Sequence, residues 1–356
     1  MTELSSIAPE AALDLYLEQR KGELSDETLR SHRSRLSWFI EWCEDEAEIY
    51  DMTEVTGRDL HSYRVWRREE GDLEPISLKT QLSTLRVFLD FCESIDAVPD
   101  DLKQKVLLPE VSRDGEKSDS TLEYERADRI LDYLEKYEYA SREHVCISLL
   151  WRTGMRQGSL RALDLRDYDR KARALEVRHR PETDTPLKNQ ERGERDVALD
   201  TSLTQLLDDY ISGRRKDLTD EHGRAPLLTT SQGRPANATI RQTVYKYTRP
   251  CFIGEGCPHG REIEECEAIA YDVASKCPSS RSPHRIRTGA VTWMLNAGIP
   301  PEVVAQRVNA SVQTIRDHYD WATESQRWSR YHDQMDSRRE HLQKLDFDDE
   351  LDFTTQ

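Results

Sequence analysis

The sequence predicts a mainly α-helical protein with a small antiparallel sheet (α+β), divided into two domains. Three observations predict it. Apolar residues recur at helical spacings through the first hundred residues, with no convincing apolar/polar alternation. A polar, charged, Gly- and Ser-containing stretch (LPEVSRDGEKSDSTL) interrupts the pattern at 108–122 and has the composition of an exposed linker. Beyond it, short strand-like runs are embedded among further helices, and 356 residues are comfortable for two cores.

In chain order, a leading helix is expected near 9–21. Ser25 can cap a second, with Leu29, Leu36, Phe39, Ile40 and Cys43 on one face. Thr56 can cap a third carrying Leu60, Tyr63 and Trp66. Ser77 can cap a fourth, with Leu78, Leu82, Leu85, Leu89 and Cys92 on one stripe. These helices make a domain over 1–107. The second domain, 123–345, opens with helices near 123–137 and 141–153, and Gly154 sits where a left-handed helix end would want it. Leu165 with Tyr168, Ala174–His179 and Arg195–Leu199 read as short strands. Helices return at about 201–212, 238–248, 284–297, 301–308, 312–319 and 323–345, and the acidic tail, 346–356, is expected to be loosely held.

Composition narrows the function classes. No run approaches the roughly 20 apolar residues that span a bilayer, and the N-terminus lacks a secretory pattern, so a cytoplasmic protein is expected. Cysteines 43, 92 and 146 lie singly in helix-like segments, which argues against a secreted disulfide framework. The net charge of −17 would by itself argue against a nucleic-acid partner and is compatible with an acidic enzyme for small molecules. Yet only 12 of the 51 basic residues are Lys. An acid-rich, Lys-poor surface suits a salt-loving organism, where molar salt shrinks the Debye length to about 3 Å and leaves short-range Arg–phosphate contacts intact.

Three segments carry chemistry. In TGMRQGSL, a glycine ends one helix and Arg156 stands directly before the next, presenting a guanidinium beside backbone N–H groups. In SPHRIRTGAVTWMLNAG, a proline fixes a helix start and places His284 and Arg287 on one face. An imidazole beside a guanidinium suits a pentacoordinate phosphate, which needs charge neutralisation and a nearby proton acceptor. In SVQTIRDHYDWAT, Ser311 can cap a short helix that delivers Tyr319. A tyrosine hydroxyl, with a pKa near 10, must be held in line and relieved of its proton to act as a nucleophile. Each segment alone is more often a helix cap, a solvated face or a packing aromatic.

In this order and spacing, the three segments resemble the conserved blocks of the tyrosine recombinases, the phage-type integrases, and the composition suits a haloarchaeal member. The resemblance implies a DNA-clamping core-binding domain at the N-terminus and a catalytic domain after the linker. It implies a site-specific recombinase acting on double-stranded DNA through a 3′-phosphotyrosyl intermediate, monomeric when free and a homotetramer on DNA. Arg156 and Arg287 would clamp the scissile phosphate, His284 would move a proton, and Tyr319 would attack. Lys188, the only lysine of ETDTPLKNQERGERDVALD, matches the family's hairpin lysine that protonates the leaving oxygen. Asn309 stands where the family usually has His or Trp, and its amide can still donate to a phosphate oxygen. Thr288 stands where a second histidine often follows. On the N-terminal domain, Arg30 and Arg33 and the helix start with Ser77, Lys79 and Thr80 would face DNA.

A second signal is independent of that family. Cys251, Cys257, His259, Cys266 and Cys277 crowd into one Gly- and Pro-punctuated insert, 251–277, and four of the five could close a structural zinc site. Buried free thiols are the plainer reading. No cofactor is expected for catalysis. Two rivals stay open at this level: a recombinase-derived DNA-binding protein with failing chemistry, and a zinc-stabilised regulatory protein whose arginines serve packing.

Overall fold

The structure, a computed structural model, describes residues 4–110 and 121–318. They divide between two compact units, 4–110 in the first and 121–318 in the second. The expected helices 323–345 and the acidic tail lie outside the described residues.

Among the described residues, the first unit holds four α-helices, α1 (Pro9–Gln19), α2 (Asp26–Glu41), α3 (Gly57–Glu70) and α4 (Pro75–Ser94). Ser25 caps α2, its Oγ accepting from the Thr28 N–H at 3.3 Å. Thr56 and Asp59 form a reciprocal capping box on α3. The expected Ser77 cap of α4 is not found. The helix begins three residues earlier, at Pro75 with Glu74 at the cap position, because proline at a first helical position fixes φ and forfeits no hydrogen bond; Ser77 lies exposed in the first turn. The predicted stripe Leu78, Leu82, Leu85, Leu89 and Cys92 is buried throughout and packs with Tyr16, Phe39, Tyr63 and Phe88. Each such leucine contributes about 1.5–3 kcal/mol relative to exposure.

The second unit opens with α5 (Tyr124–Tyr137) and α6 (Arg142–Thr153), the latter capped by Ser141. The short helix α7 (Gln157–Ala162) leads to an antiparallel sheet of β1 (Tyr168–Asp169), β2 (Ala174–Val177) and β3 (Arg195–Ala198), in the order β1-β2-β3. Leu165 falls in a 3-10 turn rather than a strand, because Asp164 and Asp167 cap that turn reciprocally. In the β2–β3 register Leu175 faces Val197 and Val177 faces Arg195; both residues of the first pair and Val177 are buried. Helices α8 (Thr201–Asp209), α9 (Asn237–Tyr247), α10 (Pro283–Asn296), α11 (Pro301–Val308) and α12 (Val312–His318) follow. One apolar core joins α6, α10, α11 and the sheet, and Leu122, assigned above to the linker, is buried in it. At Gly289 on α10 a Cβ would meet the Leu122 carbonyl oxygen at 1.9 Å, so only glycine lets α10 and the segment that leads into α5 approach this closely. Among the described residues, no helix is long and apolar enough to cross a membrane.

Candidate active site

Arg156 is positioned by the turn between α6 and α7. Gly154 ends α6 at φ 62°, and a Cβ there would stand 2.9 Å from Val308 Cγ1, so both backbone and packing demand glycine. The turn thereby seats against the end of α11. There Asn309 adopts the left-handed conformation that asparagine tolerates, at φ 53°. Arg156 donates to the Asn309 carbonyl at 2.9 Å and to its side-chain oxygen at 3.3 Å.

Ser282 caps α10, accepting from the Arg285 N–H at 3.4 Å, and Pro283 occupies the first position, so His284 and Arg287 are set where the sequence suggested. Arg287 is 2% exposed. One terminal nitrogen donates to the Gly154 carbonyl at 2.8 Å and the Val308 carbonyl at 2.7 Å, tying the α6–α7 turn, α10 and α11 to one guanidinium. Its other terminal nitrogen is buried without a hydrogen-bond partner. A buried, unsatisfied charged donor is costly, and this nitrogen is left able to donate to an anion.

The β2–β3 connection carries Lys188, exposed in a turn. Its base is anchored by a buried acidic pair. Asp164 accepts from Arg224 at 2.8 Å and Arg234 at 2.6 Å, and Asp167 accepts from Arg180 at 2.5 Å. Arg224 also reaches Thr185 Oγ1 at 2.7 Å, holding the start of the connection. At the far side, Asn189 donates to the Asn309 side-chain oxygen at 2.5 Å, and the Asn309 amide donates to the Arg192 carbonyl at 2.6 Å. The Asn309 amide is thus turned to the connection, where the sequence reading gave it a phosphate.

Electrostatics show the same convergence. Burial first, then the charges of Arg287, Arg285, Lys188 and Arg156, lower the His284 pKa below its ordinary value, so the neutral imidazole is favoured. Two further cations join that sequence reasoning missed. Arg195 on β3 donates to the Arg307 carbonyl at 2.7 Å and leaves one terminal nitrogen buried without a partner. Burial, then Arg287, Arg156 and Arg307, lowers its pKa to about 10. Arg307 on α11 donates to the Ala198 carbonyl at 2.9 Å and the Arg152 carbonyl at 3.0 Å. In the sequence Arg195 registers only as the first residue of a strand; no local pattern announces a partner 112 positions away.

The structure therefore brings Arg156, Lys188, His284, Arg287 and Asn309 into one neighbourhood. Tyr319 lies outside the described residues, directly after α12, whose Thr314 N–H is capped by Ser311 Oγ at 3.0 Å. In the first unit, Arg30 and Arg33 are exposed on α2, paired with Glu27 at 2.9 Å and Asp14 at 2.6 Å, so their charge is partly answered within the protein. Thr80 is exposed and Lys79 half-buried on α4; Thr80 bonds the Ile76 carbonyl at 2.8 Å. Cys251, Cys257, His259, Cys266 and Cys277 line one small cavity, but among the described residues no three potential ligands already stand around a common metal-sized point.

The phage integrase family model matches residues 120–324, more than half of the chain, and the N-terminal SAM-like domain of phage integrases matches residues 13–94. The tyrosine recombinase XerC of Natranaerobius thermophilus is 21% identical over 327 residues, covering 89% of this chain and 97% of the relative. The tyrosine recombinase XerD of Oceanobacillus iheyensis is 22% identical over 209 residues, 59% of this chain and 66% of its own length. Among solved structures, the fold is similar to the Tn1549 transposon integrase in complex with a circular intermediate DNA, with TM-score 0.63, 17% identity, and coverage of 93% of this chain and 99% of that one. It is also similar to a lambda integrase dimer bound to a COC′ core site, with TM-score 0.62, 13% identity, and coverage of 90% and 80%. The chain belongs to the phage integrase family, the family of the tyrosine-type site-specific recombinases.

Proposed function

We propose that this recombinase cuts and rejoins double-stranded DNA through a 3′-phosphotyrosine on Tyr319. The observation that carries the reading is the Arg287 guanidinium, buried, bonded only to carbonyls on one side and unpartnered on the other, within a group of cations that includes Arg156, Arg195 and Lys188. Arg156 and Arg287 neutralise the non-bridging oxygens as the phosphorus becomes pentacoordinate. Neutral His284 accepts the Tyr319 hydroxyl proton, the new P–O bond forms, the bond to the 5′ oxygen breaks, and Lys188 supplies a proton to that oxygen. The free 5′-hydroxyl of a partner strand then reverses the step. The phosphodiester energy stays in the covalent link, so the scheme uses neither ATP nor a catalytic metal.

The remaining assignments belong to the same proposal. The first unit clamps the duplex, with Arg30 and Arg33 exchanging their carboxylate partners for phosphate, beside Ser77, Lys79 and Thr80. The chain is monomeric when free, assembles as a homotetramer on DNA, and works in the cytoplasm of a salt-loving, haloarchaeal host, as its acid-rich, Lys-poor composition suggests. A nicked suicide DNA substrate tests the chemistry: the wild-type chain should accumulate a covalent protein–DNA adduct in molar KCl that Tyr319→Phe does not form. Sequence-selective binding with no adduct from the wild type would instead favour a recombinase-derived DNA-binding protein, in which the committed Asn309 amide marks lost chemistry.

A further inference from the structure

The insert before α10 is short of everything that normally holds a segment in place. Residues 250–277 contain three 3-10 turns, Pro250–Ile253, Glu267–Ile269 and Tyr271–Lys276, and no α-helix or strand. Among the described residues, only its first turn reaches the main core, through Phe252 and Ile253; farther on, Ile263 and Ile269 are 41% and 52% exposed, and the buried residues are small, Ala268, Ala274 and Cys277. A segment with so little apolar burial needs another source of order. Its polar ligand-capable side chains are gathered instead: Cys251, Cys257, His259, Cys266 and Cys277 all line one cavity of about 20 Å³, room for a single ion or water.

One arginine lines this cavity, and a second is held to the backbone beside it, at Ser279. Arg249, 5% exposed, lines it and donates to the carbonyls of Lys246 and Ala268. Arg126 donates to the carbonyls of Thr248 and Ser279. Among the described residues neither is paired with a carboxylate. Four thiolates around a divalent ion carry a net charge of about −2, which the buried Arg249 and the half-buried Arg126 would offset. From these juxtaposed thiols and cations we propose that Cys251, Cys257, Cys266 and Cys277 bind one structural zinc ion as thiolates. His259 stays outside the ligand set, its ring Nε2 hydrogen-bonded to Ser279 Oγ at 2.8 Å. Among the described residues no three of these ligands stand around one point, so the proposal requires side-chain rotation within the shared cavity, which the half-buried Cys251, Cys257 and Cys266 leave room for.

The ion ties the insert to the catalytic helix. Cys277 is followed by Ser280, whose hydroxyl donates to the carbonyls of Tyr245 at 3.1 Å and Ala274 at 2.5 Å, and by Arg281, whose N–H donates to Thr248 Oγ1 at 2.9 Å. The chain then reaches the Ser282 cap of α10 and His284. Fixing Cys277 to three distant thiolates fixes the approach to that cap. The proposal is independent of the recombinase chemistry.

Metal analysis of the full-length chain, expressed without added zinc and purified without a polyhistidine tag or chelator, is the test. About one zinc per chain is expected, also in Tyr319→Phe, and cobalt(II) exchanged into the site should give the intense thiolate charge-transfer bands of four sulfur ligands. Cys257→Ser and Cys266→Ser should each lose most of the zinc, at least about tenfold, whereas His259→Ala and the control Cys92→Ser should retain it. Soluble wild-type chain with under about a tenth of an equivalent overturns the proposal, whatever the variants do. Zinc retained by both cysteine variants, or lost in His259→Ala, overturns the ligand set.

Discussion

The second unit holds two groups of buried and half-buried arginines that differ in what answers their charge. Around Asp164, itself 1% exposed, Arg180, Arg224 and Arg234 pair with Asp164, Asp167 and Asp220, so charge is closed within the protein. Around the α6–α7 turn, Arg195, Arg287 and Arg307 bond to backbone carbonyls, and among the described residues no carboxylate pairs with them. Carbonyls orient a guanidinium without neutralising it. The first group is a rivet for the Lys188-bearing connection, and the second is a positively charged mould, which under the proposed function receives the scissile phosphate.

Breaking the rivet should cost the most. Asp164→Ala leaves Arg224 and Arg234 buried without their common carboxylate, and unfolding in denaturant should show a loss of about 3–5 kcal/mol. Arg287→Ala attacks the mould. It should slow covalent adduct formation by about 10²–10³-fold, the scale for removing one donor to a transition-state oxyanion, while the folded chain persists. A loss of folding without a separate effect on the rate per folded molecule would erase the distinction between the groups.

The His284 imidazole gives a pH test. Its pKa is lowered by burial and by the surrounding cations, so the unfolded chain takes up this proton first as pH falls. The associated stability is present above pH of about 6.5 and declines as pH drops from there through the lower folded value. The adduct rate, needing neutral imidazole, should stay level to below that same point. An NMR titration of the free protein should give a midpoint under about 6.5, rising when phosphate binds; a midpoint at or above it would remove the cation cluster as the cause.

The smallest effect sharpens the comparison most cleanly. Sulfate at about ten times its dissociation constant should stabilise the wild type by about 1.4 kcal/mol through the unsatisfied arginines, and the gain should vanish in Arg287→Ala. Thermal melts at constant ionic strength, with chloride as the control, would show it. Equal stabilisation of both proteins would place the anion elsewhere.

Most helices were legible in the sequence because their causes are local. Ser25, the Thr56–Asp59 box, Ser141, Gly154 and Ser282 each act within a turn of the helix they begin or end, and leucines at helical spacing mark the buried stripe whatever it packs against. At α4 two local signals compete, and Pro75 rather than Ser77 sets the start of the helix. The candidate catalytic residues were legible because their motifs combine a helix boundary with an unusual side chain, in a linear order that resembles a known family.

The sequence alone thus determined the two helical regions, the small sheet between helices, and Arg156, His284 and Arg287 as a set. Only tertiary structure decided which arginines pair with carboxylates and which bond to backbone carbonyls. It added Arg195 and Arg307 to the set, turned the Asn309 amide toward Arg192, and paired Arg33 with Asp14. The reason is one of range. Caps and periodicity act over a few neighbouring residues, whereas the partner of a buried charge is fixed by whatever long-range packing brings within hydrogen-bonding distance.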